Sequence, residues 1–150
     1  SGELRITHPE MTRFWLTLPG AARFVMEALE RMLGGEIIVP SLPWATMGDV
    51  ALAVAGPTHA LKIIGIRPGG EKVHERLLSS EEMSRTGLMR GCGTDFRPLV
   101  IQPSIRTWGG PAFDLEAVAP FDYQSGLDPK RRLSQGLIQG LIQRMVEFIP

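Results

Sequence analysis

The chain has 150 residues, of which 16 are basic and 16 are acidic, and 43% are hydrophobic. A chain of this length buries roughly 68–70% of its unfolded surface, which is enough for the hydrophobic core of one domain. The balanced charge provides no broad positive field, so we expect neither nucleic acid nor an anionic membrane as a partner. The single cysteine, Cys92, excludes an internal disulfide and a multi-cysteine metal site.

Two features of the sequence bear on the protein's location. No run of 18 or more apolar residues is present, so we expect no membrane span. The start, SGELRITHPEM, lacks the basic and apolar regions of a signal peptide, and we expect a cytoplasmic protein. Because the strand-like alternation of ELRIT follows the first two residues at once, we also expect the chain to be a piece of something longer.

The amino-terminal half alternates between strand and helix patterns. After the strand predicted at ELRIT, apolar residues recur at helical spacing from Thr17 to Leu33, with Thr17 as the N-cap and Pro19 in the first turn. The β-branched run from Glu36 to Pro40 predicts a buried strand. These patterns indicate a sheet that is covered by helices.

A second helix and a further strand follow. Thr46 and Asp49 resemble a capping box with a shorter acid, and Gly56 with Pro57 ends the predicted helix. The apolar run from Leu61 to Ile66 predicts the next strand. The alternation predicts an α/β fold, a small mixed sheet with covering helices.

The carboxy-terminal half has weaker patterns. The predictions are a short helix over Glu71–Leu78, a helix over Glu81–Thr86 capped by Ser79 or Ser80, an irregular loop over Thr86–Pro98 and a strand over Leu99–Gln102. Turn signals without a sustained period predict a long irregular segment over about 103–132. Apolar residues at helical spacing predict a terminal helix over about 134–148.

Established catalytic patterns are missing from the sequence. No glycine-rich dinucleotide loop or phosphate loop follows a strand, and no cysteine–histidine set has metal-binding spacing. The single tyrosine, Tyr123, has leucine four positions later, so a tyrosine–lysine catalytic pair is missing. We therefore expect no catalytic residue, no metal ligand and no bound cofactor in this chain.

The stretch GIRPGGEKVHE contains a candidate anion-binding site. Arg67 follows a predicted strand, and the glycines after it allow backbone N–H groups to approach an anion, with the predicted helix from Glu71 adding its positive end. An arginine fork matches two phosphate oxygens, and the Glu71 carboxylate can accept hydrogen bonds from vicinal ribose hydroxyls. Alternatively, Arg67 pairs with Glu71 or Glu75 on the surface and Pro-Gly-Gly is only a turn.

Arg13, in the stretch HPEMTRFWLTL, is a second candidate. It precedes aromatic and β-branched residues, where a strand end would point it into a cleft. The alternative is a salt bridge to Glu10 or a surface charge. Phe14 and Trp15 fit a hydrophobic core better than a base-stacking surface, and no base is positioned by sequence to activate Cys92 as a nucleophile.

Five blocks in order resemble one family, the inverting UDP-N-acetylglucosamine 4,6-dehydratases, which are extended short-chain dehydrogenase/reductases of the polysaccharide-biosynthesis group. The blocks are THPEMTRFWLTLPGAARFVMEAL, GGEIIVPSLP, IIGIRPGGEKVHERLLSSEE, VIQPSI and FDYQS. The resemblance runs from about Ile6 to Ser125 and is to the carboxy-terminal half of these enzymes.

This resemblance implies a Rossmann domain with bound NADP and the catalytic tyrosine–lysine pair, followed by a smaller lobe that holds the UDP-sugar. Residues 1–150 are similar to that lobe, so we expect one nucleotide-sugar-binding lobe without a Rossmann domain. Arg13, Arg67 and Glu71 correspond to family positions that contact the nucleotide diphosphate and its ribose. The family writes RPGEK where this chain writes RPGGEK, so one extra glycine displaces Glu71.

Two functional hypotheses remain open. In the first, the chain is the UDP-sugar-binding portion of a 4,6-dehydratase, not catalytic alone, and works with a Rossmann domain in cis or in trans. In the second, it is a stand-alone nucleotide-sugar-binding or subunit-interaction protein derived from that lobe. An apolar surface that is left exposed would favour a homo-oligomer in the second case.

Overall fold

The structure is a computed structural model that describes residues 3–56, 58–91, 96–105 and 112–146. The helices are α1 (Leu18–Arg31), α2 (Met47–Ala55), α3 (Ser80–Met83) and α4 (Gln135–Val146), with a 3₁₀ helix at Pro129–Arg131. The strands are β1 (Leu4–Ile6), β2 (Thr12–Phe14), β3 (Ile37–Val39), β4 (Trp44–Thr46), β5 (Leu61–Ile63), β6 (Arg76–Leu78), β7 (Thr86–Met89), β8 (Leu99–Ile101), β9 (Leu115–Ala117) and β10 (Tyr123–Gln124).

The chain divides into two compact units. Unit 1 contains the described residues of Ser1–Trp15, Pro43–Glu75 and Ser125–Pro150, and unit 2 contains those of Leu16–Leu42 and Arg76–Gln124. None of the helices in the described ranges is long and apolar enough to cross a bilayer. The prediction of one nucleotide-sugar-binding lobe concerns function and stays a prediction.

The described part of unit 1 consists of two strand pairs, the helices α2 and α4, and the 3₁₀ helix. β1 lies parallel to β5, and β2 lies antiparallel to β4 with Arg13 opposite Ala45. α2 packs against α4 and β1. The Thr46 side chain caps α2 by accepting a hydrogen bond from the Asp49 N–H at 3.0 Å, and Ala45 and Ile138 are fully buried. The core of this unit therefore fixes the strand from which Arg13 projects.

Unit 2 is built on an antiparallel sheet with the strand order β3-β8-β7-β9. All three residues of β8 are buried. A Cβ at Gly87 would lie 2.7 Å from the Leu115 Cβ, so the close approach of β7 to β9 requires glycine. β6 pairs with β10, where buried Leu78 lies opposite buried Tyr123. The Thr17 hydroxyl caps α1 by accepting from the Gly20 N–H at 3.2 Å.

The structure confirms much of the predicted element order. The helices predicted after Thr17, after Thr46 and near the carboxy terminus are α1, α2 and α4. Strands β1, β3, β5 and β8 lie where they were predicted, although β5 ends at Ile63 rather than Ile66. The α/β class, with small sheets and helices, is therefore correct.

The prediction of a single mixed sheet is wrong. The strands of the described residues form four separate sheets, and the β1–β5 sheet is parallel while the other three are antiparallel. Strands β2 and β4, which were not predicted, form one of these sheets. Each is three residues long, too short for an alternating pattern to be recognised in the sequence.

The helix predicted over Glu71–Leu78 is also wrong. Residues 71–75 are irregular and residues 76–78 form β6. The Val73 carbonyl accepts a hydrogen bond from the Thr12 N–H at 2.9 Å, and Leu78 pairs with Tyr123. These partners from distant parts of the sequence override the local helical spacing. The expected positive helix end beside Arg67 is therefore not formed.

Other segments of the carboxy-terminal half differ in part. Ser79, rather than Ser80, caps α3 in a complete capping box with Glu82, and α3 ends at Met83. The predicted loop over Thr86–Pro98 contains β7, and its residues 92–95, including Cys92, lie outside the described residues. The segment predicted as irregular over about 103–132 contains β9, β10 and the 3₁₀ helix, and residues 106–111 lie outside the description.

Candidate functional site

A hollow of about 610 Å³ opens on unit 1. Arg13, from β2, borders it together with the continuous segment 67–72 and Glu75. This wall carries three cationic side chains and two carboxylates. A concave site of this volume is within the roughly 300–1,000 Å³ range of small-molecule sites, and its charged wall suits a polar, anionic ligand.

Arg67 and Glu71 form an ion pair on this wall. The Glu71 carboxylate accepts hydrogen bonds from the Arg67 backbone N–H at 2.9 Å and from the guanidinium Nη2 at 3.2 Å. Gly69 and Gly70 both have positive φ angles, 104° and 110°, which suit glycine and close the turn between the pair. The ion pair that the sequence left open as an alternative is therefore present.

The same contacts shift the ionisation of both groups. Hydrogen bonding to the Arg67 side chain is the largest cause that lowers the pKa of Glu71, and Glu71 raises the pKa of Arg67 in return. Both groups are therefore charged at neutral pH. The Arg67 side chain is 75% exposed, whereas that of Glu71 is 13% exposed. An anion in the hollow can therefore reach the exposed part of the guanidinium.

Arg13 is held more tightly than Arg67. Its Nη1 donates to the Thr12 carbonyl at 2.7 Å and to the Val73 carbonyl at 3.3 Å, and its Nε lies 3.5 Å from the Glu75 Oε1. Within the described residues, the carboxylate beside Arg13 is thus that of Glu75 and not that of Glu10. The Arg13 side chain is 25% exposed. These contacts therefore fix the orientation of the Arg13 guanidinium.

A polar network in unit 1 joins β2 to the segment that carries Glu75. The buried Ser125 hydroxyl lies 2.7 Å from the Thr12 hydroxyl and accepts from the Glu75 N–H at 2.9 Å. The Thr12 hydroxyl is also hydrogen-bonded to the His74 Nδ1 at 2.7 Å. Gly126 has φ 93°, and a Cβ there would lie 3.3 Å from His74 Nδ1 and Thr12 Oγ1. The network fixes Glu75 beside Arg13.

Three predicted site residues, Arg13, Arg67 and Glu71, border one hollow although Arg13 lies on a distant part of the chain. Sequence reasoning missed Lys72 as a site residue and treated Glu75 only as a possible partner of Arg67. The spacing of apolar residues could not predict the contact between Arg13 and Glu75, because this contact depends on hydrogen bonds made by Ser125. Ser125 does end the FDYQS block, so that block marked a residue of the supporting network.

Three further residues of interest do not line the hollow. Tyr123 is buried in unit 2, where its hydroxyl accepts a hydrogen bond from the Leu42 N–H at 2.5 Å. Phe14 and Trp15 are half-buried, and neither lines the hollow, in keeping with a packing role.

Comparisons with known proteins identify similar chains. A family profile described as "Polysaccharide biosynthesis protein" matches residues 1–92. The chain is 48% identical over 84 residues to UDP-N-acetylglucosamine 4,6-dehydratase (inverting) of Campylobacter jejuni, a match over 56% of this chain and 25% of the relative. It is 38% identical over 92 residues to UDP-glucose 4-epimerase of Rickettsia typhi, a match over 59% of this chain and 27% of the relative.

A solved structure shares the fold. The X-ray structure of Pen from Bacillus thuringiensis superimposes with a TM-score of 0.75 at 20% sequence identity, over 95% of this chain and 40% of that one. The matches to the two curated relatives span about a quarter of their length. The family resemblance that the sequence blocks predicted is thereby confirmed, with the profile match covering residues 1–92.

Proposed function

This chain belongs to the polysaccharide biosynthesis protein family, and we propose that it is the UDP-sugar-binding portion of a UDP-N-acetylglucosamine 4,6-dehydratase. The observation that carries this proposal is the hollow of unit 1, where Arg13, Arg67 and Glu71 meet. Similarity to two enzymes whose names specify UDP-sugars supports the choice of ligand.

The chemistry of the wall suits a nucleoside diphosphate. A guanidinium can donate two parallel hydrogen bonds to phosphate oxygens, and each charge-assisted bond contributes on the order of 1.5–3 kcal/mol. Arg13 is directed by fixed carbonyl partners, while Arg67 keeps an exposed edge. The two groups therefore bind the diphosphate, and Glu71, relieved of part of its pairing with Arg67, accepts hydrogen bonds from the ribose hydroxyls.

The proposed reaction of the complete enzyme is a lyase reaction that yields a 4-keto-6-deoxy sugar. NADP, when it is bound, would supply the withdrawal of a hydride from C4 and its return after water has been lost across C5–C6. In a dinucleotide-binding fold, the pyrophosphate lies at a glycine-rich turn between a strand and a helix. The β4–α2 junction of this chain contains Gly48 but does not fit a dinucleotide, because Pro9 fills the space beside this glycine. A Cβ at Gly48 would lie 3.1 Å from the Pro9 carbonyl oxygen. We therefore assign the cofactor to a Rossmann domain in cis or in trans, and assign this chain no catalytic step.

The second candidate function is a subunit-interaction protein derived from the same lobe. An apolar face of α1 is exposed, including Leu18 at 84%, Met26 at 60% and Leu29 at 57%. Contiguous exposed apolar surface of this kind favours contact with another protein. In this version the chain forms a homo-oligomer or binds a partner subunit, and nucleotide-sugar binding is secondary. In either version we expect a cytoplasmic protein.

Calorimetric titration with UDP tests the first proposal. The native chain is expected to bind UDP, and Arg67→Gln is expected to weaken binding by about tenfold or more, because a charge-assisted pair to phosphate is lost. Arg90→Gln is the matched control, since Arg90 is also an exposed arginine paired with a carboxylate, that of Asp114 at 3.7 Å, and does not line the hollow. The control is expected to bind UDP as the native chain does.

Absence of heat with UDP and with UDP-N-acetylglucosamine would contradict the binding proposal. If analytical ultracentrifugation then showed a concentration-dependent oligomer that Leu29→Lys dissociates, the interaction version would replace it. A monomer at every concentration with intact UDP binding would exclude the homo-oligomer and favour the binding proposal instead.

A further inference from the structure

We propose that Lys72 is a third cation of this site and that it makes the site prefer a diphosphate to a monophosphate. This inference rests on the proposed function and deepens it, because it concerns which anion the same hollow selects. Lys72 borders the hollow beside Glu71, and its side chain is exposed. Neither the element pattern nor the family positions transferred to this chain gave it a role.

The pairing of charges around the hollow distinguishes Lys72 from the two arginines. Arg67 is paired with Glu71 at 3.2 Å, and Arg13 is paired with Glu75 at 3.5 Å. Among the charged groups of the described wall, Lys72 is the cation for which no carboxylate partner lies within ion-pair distance. It can therefore accept an anion without first giving up an ion pair.

The net charge of the wall also supports a role for Lys72. The two arginine–carboxylate pairs are each neutral in sum, so the net positive charge of the described wall equals that of Lys72. A monophosphate can be bound by one arginine fork alone. A diphosphate brings a second group of negative oxygens, and its added charge needs a cation that is not already compensated.

The chemical nature of lysine suits this role. An ammonium group on a flexible four-carbon stem is a compact point charge without a fixed fork, so it can reach diphosphate oxygens that the two arginines leave free. Because the Lys72 side chain is exposed, its ordering upon binding has an entropic cost, and we expect a modest effect. We expect Lys72 to contribute mainly to selectivity between anions.

The test is a set of calorimetric titrations of Lys72→Gln with UDP, UMP and inorganic pyrophosphate. We expect about a tenfold loss of affinity for UDP and for pyrophosphate, and at most about a threefold loss for UMP, since one charge-assisted contact is removed from the diphosphate alone. Raising the salt concentration is expected to weaken UDP binding less steeply in the variant than in the native chain. Lys72→Arg is expected to keep the preference for UDP over UMP.

Lys62→Gln is the matched control. Lys62, in β5, is also an exposed lysine, at 54%; it pairs with Glu3 at 3.3 Å and does not line the hollow. Its substitution is expected to leave the three affinities within about twofold of the native values, because an exposed surface pair contributes little. Circular dichroism of both variants checks that the fold is retained.

The outcomes separate this inference from the function on which it rests. If the native chain binds UDP and Lys72→Gln binds it equally well, or loses UDP and UMP alike, the inference is wrong and the proposed function stands. If the native chain binds pyrophosphate but gains nothing from the uridine, and Lys72→Gln still loses pyrophosphate, the anion role of Lys72 stands and the nucleotide assignment fails. If no probe binds the native chain, both proposals are overturned.

Discussion

The hollow of unit 1 and the four-stranded sheet of unit 2 are stabilised in different ways. Around the hollow, side chains are positioned by polar partners, such as the bonds of Ser125 to Thr12 and Glu75. In the sheet, buried apolar residues carry the packing, and Leu99 and Val100 are 3% and 0% exposed. Polar partners have defined directions, whereas apolar burial depends mainly on area. The polar contacts around the hollow therefore orient side chains, whereas the apolar contacts of the sheet contribute mainly to stability.

This difference predicts what substitutions in each region do. In the sheet, loss of a side chain lowers the free energy of unfolding without altering the ligand contacts. At the hollow, loss of an exposed charge alters binding with little change in stability, since exposed ion pairs contribute about 0–1 kcal/mol. The supporting network of Ser125 is expected to affect both stability and binding, because Ser125 is buried and also fixes Glu75 in the wall of the hollow.

The largest expected effect is that of Leu99→Ala in β8. Removal of this buried side chain is expected to lower the free energy of unfolding by about 2–5 kcal/mol, through lost burial and the cavity that remains. Urea denaturation measures the loss, and UDP titration of the folded fraction is expected to give the native affinity. Ile37→Ala on the neighbouring strand, where Ile37 is 57% exposed, is the control with a smaller loss. Equal losses for the two variants would contradict the assignment of the sheet as the apolar core.

The next effect in size is that of Ser125→Ala. Without the hydroxyl, the buried Thr12 hydroxyl and the Glu75 N–H each lose a partner, which is expected to cost about 1–3 kcal/mol of stability. Because Glu75 is then less firmly held beside Arg13, UDP affinity is expected to fall as well. Ser84→Ala, which removes an exposed hydroxyl bonded to the Glu81 carbonyl, is the control. Loss of stability with unchanged UDP affinity would show that the network does not position the wall.

The smallest effect is expected for Ser79→Ala, which removes the N-cap of α3. Loss of the capping hydroxyl is expected to cost about 1 kcal/mol of stability and to leave UDP binding unchanged. Thermal unfolding measures it, with the exposed Ser104→Ala as control. A change in UDP affinity would contradict the expectation that substitutions away from the hollow leave binding unchanged.

The same cap has a pH dependence with a definite sign. Hydrogen bonds from the Ser79 backbone N–H and hydroxyl lower the pKa of Glu82. The stabilisation by ionised Glu82 is therefore fully present above its unfolded pKa of about 4.3, and it is lost as the pH falls through the lower folded pKa. The stability difference between the native chain and Ser79→Ala is expected to shrink in acid. A difference that grew below pH 4 would contradict this account of the cap.

The sequence was sufficient where the decisive contacts are local. The caps Thr17 and Thr46 lie within one turn of the groups that they satisfy, so their patterns are visible in the chain. Gly87 shows the opposite case. This glycine was interpreted as a loop signal, yet it lies in β7. The residue there must be glycine because Leu115 leaves no room for a Cβ. Such a requirement depends on a distant strand and has no local signal.

The candidate site divides in the same way. Arg13, Arg67 and Glu71 were predicted from quoted motifs, and all three border the hollow. Lys72 and Glu75 were not predicted as site residues, because their roles depend on which carboxylate pairs with which cation. That pairing is decided by the turn at Gly69 and Gly70 and by the distant Ser125, and neither can be derived from spacing alone.

A crystal structure of the chain with UDP tests the central claim most directly, namely that two guanidinium groups distant in sequence bind one diphosphate. The expected result is UDP in the hollow of unit 1, with nitrogen atoms of both Arg13 and Arg67 about 3 Å from diphosphate oxygens. A diphosphate that contacts neither arginine, or UDP bound outside the hollow, would contradict the claim.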